Sequence, residues 1–279
     1  MTSTLLLTAL TMLAFAGNSV LCRLALAHTS IDPAGFTLAR IASGAVMLWV
    51  LANGIGKRKG IGGSWAGGAA LTIYAIAFSL AYVTLPAGTG ALLLFGAVQA
   101  TMIATGLKQG ERLAIPQWIG LAVALGGLVT LVAPGVSAPP PVGAALMALS
   151  GVFWGVYSLL GRGAKDPVAA TAGNFLRAVP MAVVPAVILM GQLNPDPEGL
   201  LYAVLSGTIT SGCGYILWYR VLPRLTAAQG ASVQLSVPVI AALAGAALMG
   251  ETLTLRLCIA SAATLGGIAL VILNRKRRL

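Results

Sequence analysis

Long apolar runs separated by short polar breaks dominate this sequence. Ten of these runs reach about 20 residues, the length at which an α-helix crosses the hydrocarbon core of a bilayer. The pattern therefore predicts an all-α integral membrane protein with ten transmembrane helices. The predicted spans are 4–27, 33–54, 64–85, 88–107, 114–133, 141–161, 167–191, 199–222, 226–249 and 254–274.

The composition favours the same environment. Hydrophobic residues make up 58% of the chain and charged residues only 8%, whereas about a quarter of a soluble domain is charged. No Lys or Arg precedes the first apolar run, so we interpret it as a span and not as a signal peptide. Cys22, Cys213 and Cys258 fall within or at the ends of apolar runs, a spacing that indicates neither a disulfide framework nor a metal site. We therefore expect no cofactor.

Two parts of the chain share one plan, which predicts an internal repeat. Each part has a Leu-Pro break, then a Gly-Glu pair, and a Gly-Gly pair fifteen residues after the Glu. The predicted repeats are 1–135 and 136–279, the second with a basic tail. Five spans in each repeat force opposite orientations, and inverted repeats are typical of transporters whose substrate site lies between the halves. The matching pairs are 85–86 and 222–223, 110–111 and 250–251, and 126–127 and 266–267.

The Lys and Arg residues predict the orientation. With both termini on one side of the membrane, that side receives thirteen Lys and Arg, and the other receives only Arg23 and Arg256. The positive-inside rule then places both termini in the cytoplasm of a bacterium, with the chain in the inner membrane. Contact with an anionic leaflet accounts for the net charge of +11, so we expect lipid contacts and no nucleic-acid partner.

The segments around the two Gly-Glu pairs resemble a known family. GERLAIPQWIGLAVALGGLVTLV at 110–132 and GETLTLRLCIASAATLGGIALVIL at 250–273 are similar to the paired EamA-type repeats of the drug/metabolite transporter superfamily. The resemblance covers nearly the whole chain, and the chain is most similar to bacterial aromatic amino-acid exporters. It implies a ten-helix inner-membrane exporter of metabolites. Small multidrug pumps of the superfamily carry a Glu in the first helix for proton antiport, where this chain has only Asn18.

The titratable residues argue against an enzyme. All six carboxylates lie in loops or at helix ends, and the single His, His28, is also at a helix end. The predicted spans therefore offer no paired-carboxylate site, no Ser–His arrangement and no zinc-ligand cluster. For the same reason we expect a facilitator that works by alternating access without proton coupling.

Aromatic residues within the spans suggest a binding cavity. Tyr74, Phe78 and Tyr82 recur at a spacing of four and share one helix face. The eighth span, the repeat equivalent, has a similar group, and the sixth has an aromatic pair. Such stripes fit both simple packing and a cavity for a small substrate with an apolar side chain. The candidate substrate-binding residues are Tyr74, Phe78, Tyr82, Gln99, Trp154, Tyr157, Arg177, Tyr215, Trp218 and Tyr219.

Two arginines, Arg40 and Arg177, fall within spans. A charge at the bilayer centre costs about 2.5–3.5 kcal/mol on insertion scales, so each should face a cavity or a partner. Each could bind a substrate carboxylate or bond to loop carbonyls. Arg177 lies deeper in its span and is the one included among the candidates. The alternatives to an amino-acid exporter are a carrier of anionic or phosphorylated metabolites and a non-transporting membrane scaffold. We expect the protein to be a monomer or homodimer that binds a small-molecule substrate.

Overall fold

The computed structural model describes residues 2–54, 61–110, 112–135, 137–161, 164–188, 194, 196–221, 224–225 and 233–273. These residues form helices and connecting loops with no β-strand among them, which confirms the predicted all-α fold. Several predictions fall outside the described residues: Glu111, the Leu-Pro pair at 222–223, the basic segment at 57–59, the tail at 275–278 and the side chain of Tyr219.

The described residues form eleven α-helices and one π-helical segment, Ser206–Cys213. This segment joins α8 to α9 into one continuous span, called the α8–α9 span. The helices are α1 (Thr2–His28), α2 (Pro33–Gly54), α3 (Trp65–Tyr82), α4 (Ala87–Lys108), α5 (Ile115–Val132), α6 (Pro141–Leu160), α7 (Pro167–Ile188), α8 (Pro197–Leu205), α9 (Gly214–Val221), α10 (Ser236–Met249) and α11 (Leu255–Leu273).

Nine helical spans within the described residues are long and apolar enough to cross a membrane. They match nine of the ten predicted spans to within a few residues at most boundaries. The remaining prediction, 226–249, overlaps α10, which spans Ser236–Met249, and residues 226–232 lie outside the described part of the chain. The protein is thus a multi-pass membrane protein.

Polar side chains set several helix starts. Asp32 accepts hydrogen bonds from the first N–H groups of α2, and Asp166 does so for α7. Ser64 caps α3 in the same way. At α8 the pKa of Asp196 lies below its ordinary value, because the Gly199 N–H and then the Ser30 hydroxyl hydrogen-bond to the carboxylate. That cap therefore contributes stability at neutral pH and loses it only as acid protonates the carboxylate.

The two Gly-Glu pairs share a backbone conformation. Gly110 and Gly250 follow α4 and α10 with φ values of 85° and 64°, in the left-handed region that favours glycine. In each case a Cβ would meet open space, so the backbone angle and not crowding selects glycine. The shared geometry fits the predicted repeat.

Helix packing follows a twofold exchange of the first five spans with the last five. α3 packs on α6 as the α8–α9 span packs on α1, and α4 packs on α6 as α10 packs on α1. α3 contacts α7 as the α8–α9 span contacts α2. The exchange converts three further contacts into themselves, because each joins a helix to its own repeat equivalent: α2–α7, α4–α10 and α5–α11. This pattern is the one that two five-helix repeats related by a twofold axis would produce.

The α5–α11 contact shows the exchange at individual residues. A Cβ on Gly127 would meet Thr264 and the Ala260 carbonyl, and a Cβ on Gly267 would meet Ala124 and the Gly120 carbonyl. In the repeat register set by the Gly-Glu pairs, 120 corresponds to 260, 124 to 264 and 127 to 267. Small residues at these positions let the two backbones approach closely, as is common between membrane helices.

Candidate functional site

A narrow crevice with a cavity volume of about 20 Å³ lies among the helices at the centre of the bundle. Its walls come from α1, α3 and α4 of the first predicted repeat, and from α6 and the α8–α9 span of the second. Small polar side chains line one part of it: Asn18, Ser19, Thr210 and Ser211. Six aromatic rings line the rest: Phe15, Tyr74, Phe78, Phe95, Trp154 and Tyr215.

Trp154 is the centre of the aromatic wall. Its ring stacks on Tyr215 at 5.3 Å between centroids and on Tyr157 at 5.4 Å, and it lies 4.9 Å from the ring of Tyr74. Because the rings already touch one another, the crevice between them is narrow. A planar apolar group could enter by replacing one ring contact with another of the same kind.

A chain of hydrogen bonds crosses the site between the two halves. The Ser206 hydroxyl donates to Asn18 Oδ1 at 2.7 Å, and Asn18 Nδ2 donates to the hydroxyl oxygen of Tyr74 at 3.2 Å. Arg40 Nη2 donates to the same Tyr74 oxygen at 3.0 Å. The network fixes the polar part of the crevice and joins the π-helical segment to α1, α3 and α2.

The π-helical segment shapes one side of the site. Its Thr210 and Ser211 line the crevice, and a Cβ at its Gly207 would collide with the Arg40 carbonyl and the Ser43 hydroxyl. Glycine therefore allows the segment to lie directly against the backbone of α2 beside Arg40. Single π-helical turns within α-helices frequently occur at functional sites.

Arg40 lies behind the aromatic wall and is 2% exposed. Its guanidinium carbon lies 5.0 Å from the ring centre of Phe78 and 5.3 Å from that of Tyr74. Nη1 has no hydrogen-bond partner in the described part of the chain. The one ion pair among the described residues joins Arg23 to Glu251, so Arg40 has no carboxylate counter-ion there.

The structure brings together most of the predicted aromatic residues. Tyr74, Phe78, Trp154 and Tyr215 line the crevice. Two others are buried one layer behind: Tyr157 stacks on Trp154, and Tyr82 meets Phe78 edge-on at 4.7 Å. Trp218 lies farther along α9 and is not among the residues that line the crevice. The centre of its ring is 6.0 Å from that of Phe15. The aromatic stripe of α3 thus serves both packing and the cavity wall.

Two polar residues of the predicted substrate site, Gln99 and Arg177, lie outside the central crevice. Gln99 lines a separate crevice between α4, α5 and α11. Arg177 donates from Nη1 to the Gly62 carbonyl at 2.6 Å and the Gly173 carbonyl at 2.9 Å, and lies over Trp65. The side chain of Arg177 points towards the start of α3 and hydrogen-bonds to the loop before it. The depth of Arg177 along α7 therefore did not predict the direction of its side chain.

The sequence-based candidate set missed Arg40 behind the wall and seven lining residues: Phe15, Asn18, Ser19, Leu94, Phe95, Thr210 and Ser211. A signal for Thr210 and Ser211 was present, because residues 206–211 read SGTITS, an unusual concentration of small polar residues within a span. Arg40 was recognised as an in-span charge, but its neighbours were not evident from sequence position.

Comparison with known proteins identifies the family. The model of the EamA-like transporter family matches residues 141–273. The chain is also 58% identical over 277 residues to the uncharacterised Pseudomonas aeruginosa protein PA1977, covering 99% of this chain and 96% of the relative. The chain belongs to the EamA-like transporter family. The predicted membership of the drug/metabolite transporter superfamily is thereby confirmed.

Two further similarities extend over most of this EamA-family chain. A probable terminal-alkyne amino-acid exporter of Streptantibioticus cattleyicolor is 24% identical over 253 residues, covering 87% of this chain and 84% of the exporter. A solved crystal structure with 22% identity matches with a TM-score of 0.69 and covers 100% of this chain and 99% of its own. At this identity the structural likeness shows a common fold.

Proposed function

We propose that this EamA-family transporter exports small metabolites with aromatic or other bulky apolar side chains, above all amino acids, by alternating access. The observation that carries the proposal is the central crevice, in which Trp154, Tyr215 and Tyr74 form an aromatic wall beside a hydrogen-bonded polar end. An apolar wall with a few converging polar groups is the usual form of a small-molecule site.

The position of the crevice supports a transport role. Its walls are divided between the two predicted repeats, where inverted-repeat transporters hold their substrates. Relative movement of the two halves would separate Trp154 and Tyr215 from Tyr74 and Phe15. Such a movement would widen the narrow crevice and expose it at one end of the bundle at a time.

The chemistry of the lining favours amino acids over the phosphorylated metabolites that the sequence left open. Among the described residues, no Lys or Arg lines the crevice, and Arg40 is the one buried cation beside it. A doubly charged phosphate ester would call for several cations. The relative named as a probable terminal-alkyne amino-acid exporter supports the same substrate class.

The proposed setting is a bacterial inner membrane with both termini in the cytoplasm. This orientation rests on the distribution of Lys and Arg in the sequence. On this topology Arg23 and Glu251 lie at the periplasmic end of the bundle. Export would then release substrate past that ion pair.

Uptake by purified protein in liposomes tests the proposal. The panel contains phenylalanine, tryptophan and leucine, with alanine, aspartate and a sugar phosphate as comparison substrates, and protein-free liposomes as the control. We expect at least ~10-fold faster protein-dependent entry of the bulky apolar amino acids than of alanine, the usual selectivity of an apolar pocket. Protein-dependent entry of the sugar phosphate alone would contradict the proposal.

A further inference from the structure

We propose that Arg40 and Tyr74 form a carboxylate-binding site at the polar end of the central crevice. The inference rests on the proposed amino-acid transport, because it names the part of the substrate that this end recognises. It assigns recognition to Arg40, not to the deeper Arg177.

The first argument is the uncompensated charge of Arg40. Its guanidinium is buried against Tyr74 and Phe78 of α3, and Nη1 lacks a hydrogen-bond partner within the described residues. The faces of Phe78 and Tyr74 attract the cation but accept no conventional hydrogen bond. Buried charges in membrane proteins normally pair with another group or face a cavity that an ion or substrate enters.

The carboxylates of the described residues are committed to other partners. Asp32, Asp166 and Asp196 accept from N–H groups at helix starts, Glu198 accepts from Tyr202, and Glu251 pairs with Arg23. Arg40 therefore has no resident anion in that part of the protein. An incoming anion would supply the missing charge.

The second argument is the hydroxyl group of Tyr74. Its oxygen accepts one hydrogen bond from Arg40 and one from Asn18, which occupies its two acceptor positions. Neither donor can accept the hydroxyl proton, so that proton is available to an incoming acceptor. Because the Tyr74 ring lines the crevice and Arg40 polarises its oxygen, the hydroxyl is a strong donor for an anionic oxygen.

A single guanidinium with one neighbouring hydroxyl matches a monoanion. A carboxylate in the crevice would accept from the Tyr74 hydroxyl with one oxygen. Movement of the aromatic wall would bring its second oxygen to Arg40 Nη1 behind Tyr74, in the charge-assisted arrangement that arginine favours. The apolar side chain of the same substrate would then lie towards Trp154 and Tyr215. Arg177 offers no such site, since its Nη1 already bonds to two backbone carbonyls.

Competition against labelled phenylalanine in proteoliposome counterflow tests the inference. The competitors are phenylalanine and two analogues without a carboxylate, phenylalaninol and phenylalanine amide. In the wild type, phenylalanine should compete at least about tenfold better than either analogue, the size expected for a hydrogen-bonded charge pair. In Arg40→Gln the preference should fall below about threefold, and in Arg177→Gln it should persist.

Tyr74→Phe provides a second variant, since it keeps the ring and removes only the hydroxyl. It should reduce the carboxylate preference by about tenfold even if Arg40→Gln fails to fold. Phenylalanine counterflow with an unchanged preference in folded Arg40→Gln or in Tyr74→Phe would overturn the inference while leaving the proposed function intact. Absence of any amino-acid counterflow in the wild type would instead contradict the proposed function.

Discussion

Nε of Arg23 lies 3.0 Å from Oε1 of Glu251, and this ion pair joins the end of α1 to the loop between α10 and α11. Arg23 Nη1 also donates to the carbonyls of Tyr82 and Val83 at 2.9 Å each. Glu251 Oε2 accepts from the Ala87 N–H at 2.7 Å. One residue pair therefore joins three helices of the first half, α1, α3 and α4, to the loop after α10, next to Tyr82.

Removing the charge of Glu251 should destabilise the protein. Both side chains are largely but not fully buried, so Glu251→Gln should lower the free energy of unfolding by about 1–2 kcal/mol, between the values for surface and buried pairs. Thermal unfolding of the purified protein in detergent measures the effect. Glu198→Gln is the control, because Glu198 is exposed and bonds to Tyr202. Equal melting temperatures for the two variants would contradict this role.

The same pair should hold one end of the crevice closed. A cysteine at Phe95, which lines the crevice, should react faster with a bulky thiol reagent when Glu251→Gln is present than when it is absent. The measurement uses a background without Cys22, Cys213 and Cys258, with the reagent added on the Glu251 side. An unchanged labelling rate would show that the ion pair is not a barrier to access.

Paired glycines allow a matched test of the α5–α11 contact. A Cβ at Gly127 would lie 2.8 Å from the Thr264 nitrogen, whereas one at Gly126 would meet nothing within 4 Å. Gly127→Ala should therefore destabilise the protein by about 1–3 kcal/mol, the usual cost of overpacking. Gly126→Ala should be neutral or stabilising, since Ala favours helix over Gly by roughly 0.5–1 kcal/mol.

The repeat predicts the same outcome in α11. Gly267→Ala should destabilise because its Cβ would lie 2.6 Å from the Ala124 nitrogen, and Gly266→Ala should not. Thermal unfolding measured by size-exclusion chromatography compares all four variants. Equal stability within either neighbouring pair would contradict the packing, and a loss at only one of Gly127 and Gly267 would contradict the twofold correspondence.

Membrane orientation can be tested at two exposed positions on opposite ends of the bundle. Lys108 ends α4 and Thr252 follows α10. The excess of Lys and Arg predicts that position 108 is cytoplasmic and position 252 periplasmic. In intact cells a membrane-impermeant thiol reagent should label Thr252→Cys and not Lys108→Cys. The reverse pattern would invert the topology.

The positions of the titratable groups predict transport that is not coupled to protons. Within the described spans, Asp, Glu and His occur only at helix ends. Proton-coupled carriers usually need such a group in the membrane. Substrate should therefore equilibrate across proteoliposomes without a pH gradient. Accumulation above equilibrium that follows an imposed gradient and disappears in Glu251→Gln would show that this carboxylate carries the proton.

The sequence predicted features that depend on periodicity and length. Span lengths follow from the apolar runs, and the shared face of Tyr74 and Phe78 follows from helix geometry. The direction of a long side chain depends on its neighbours in three dimensions, so Arg177 was favoured over Arg40.

Two other features were beyond local rules. The π-helical segment depends on close packing of Gly207 against α2, which no spacing in the sequence reveals. Gln99 lies within a span like the aromatic candidates, but α4 presents it to α5 and α11, away from the central crevice. Helix neighbours, and not helix positions, determined which predicted residues meet.

Counterflow of labelled phenylalanine in proteoliposomes, compared between Trp154→Ala and Trp118→Ala, tests the central claim most directly. Trp154 stacks on Tyr215 in the crevice, whereas Trp118 is 51% exposed on the outer face of α5. We predict that the wild type and Trp118→Ala exchange phenylalanine at similar rates, and that folded Trp154→Ala is at least ~10-fold slower. No exchange by the wild type, or equal exchange by both variants, would contradict substrate transport through the aromatic crevice.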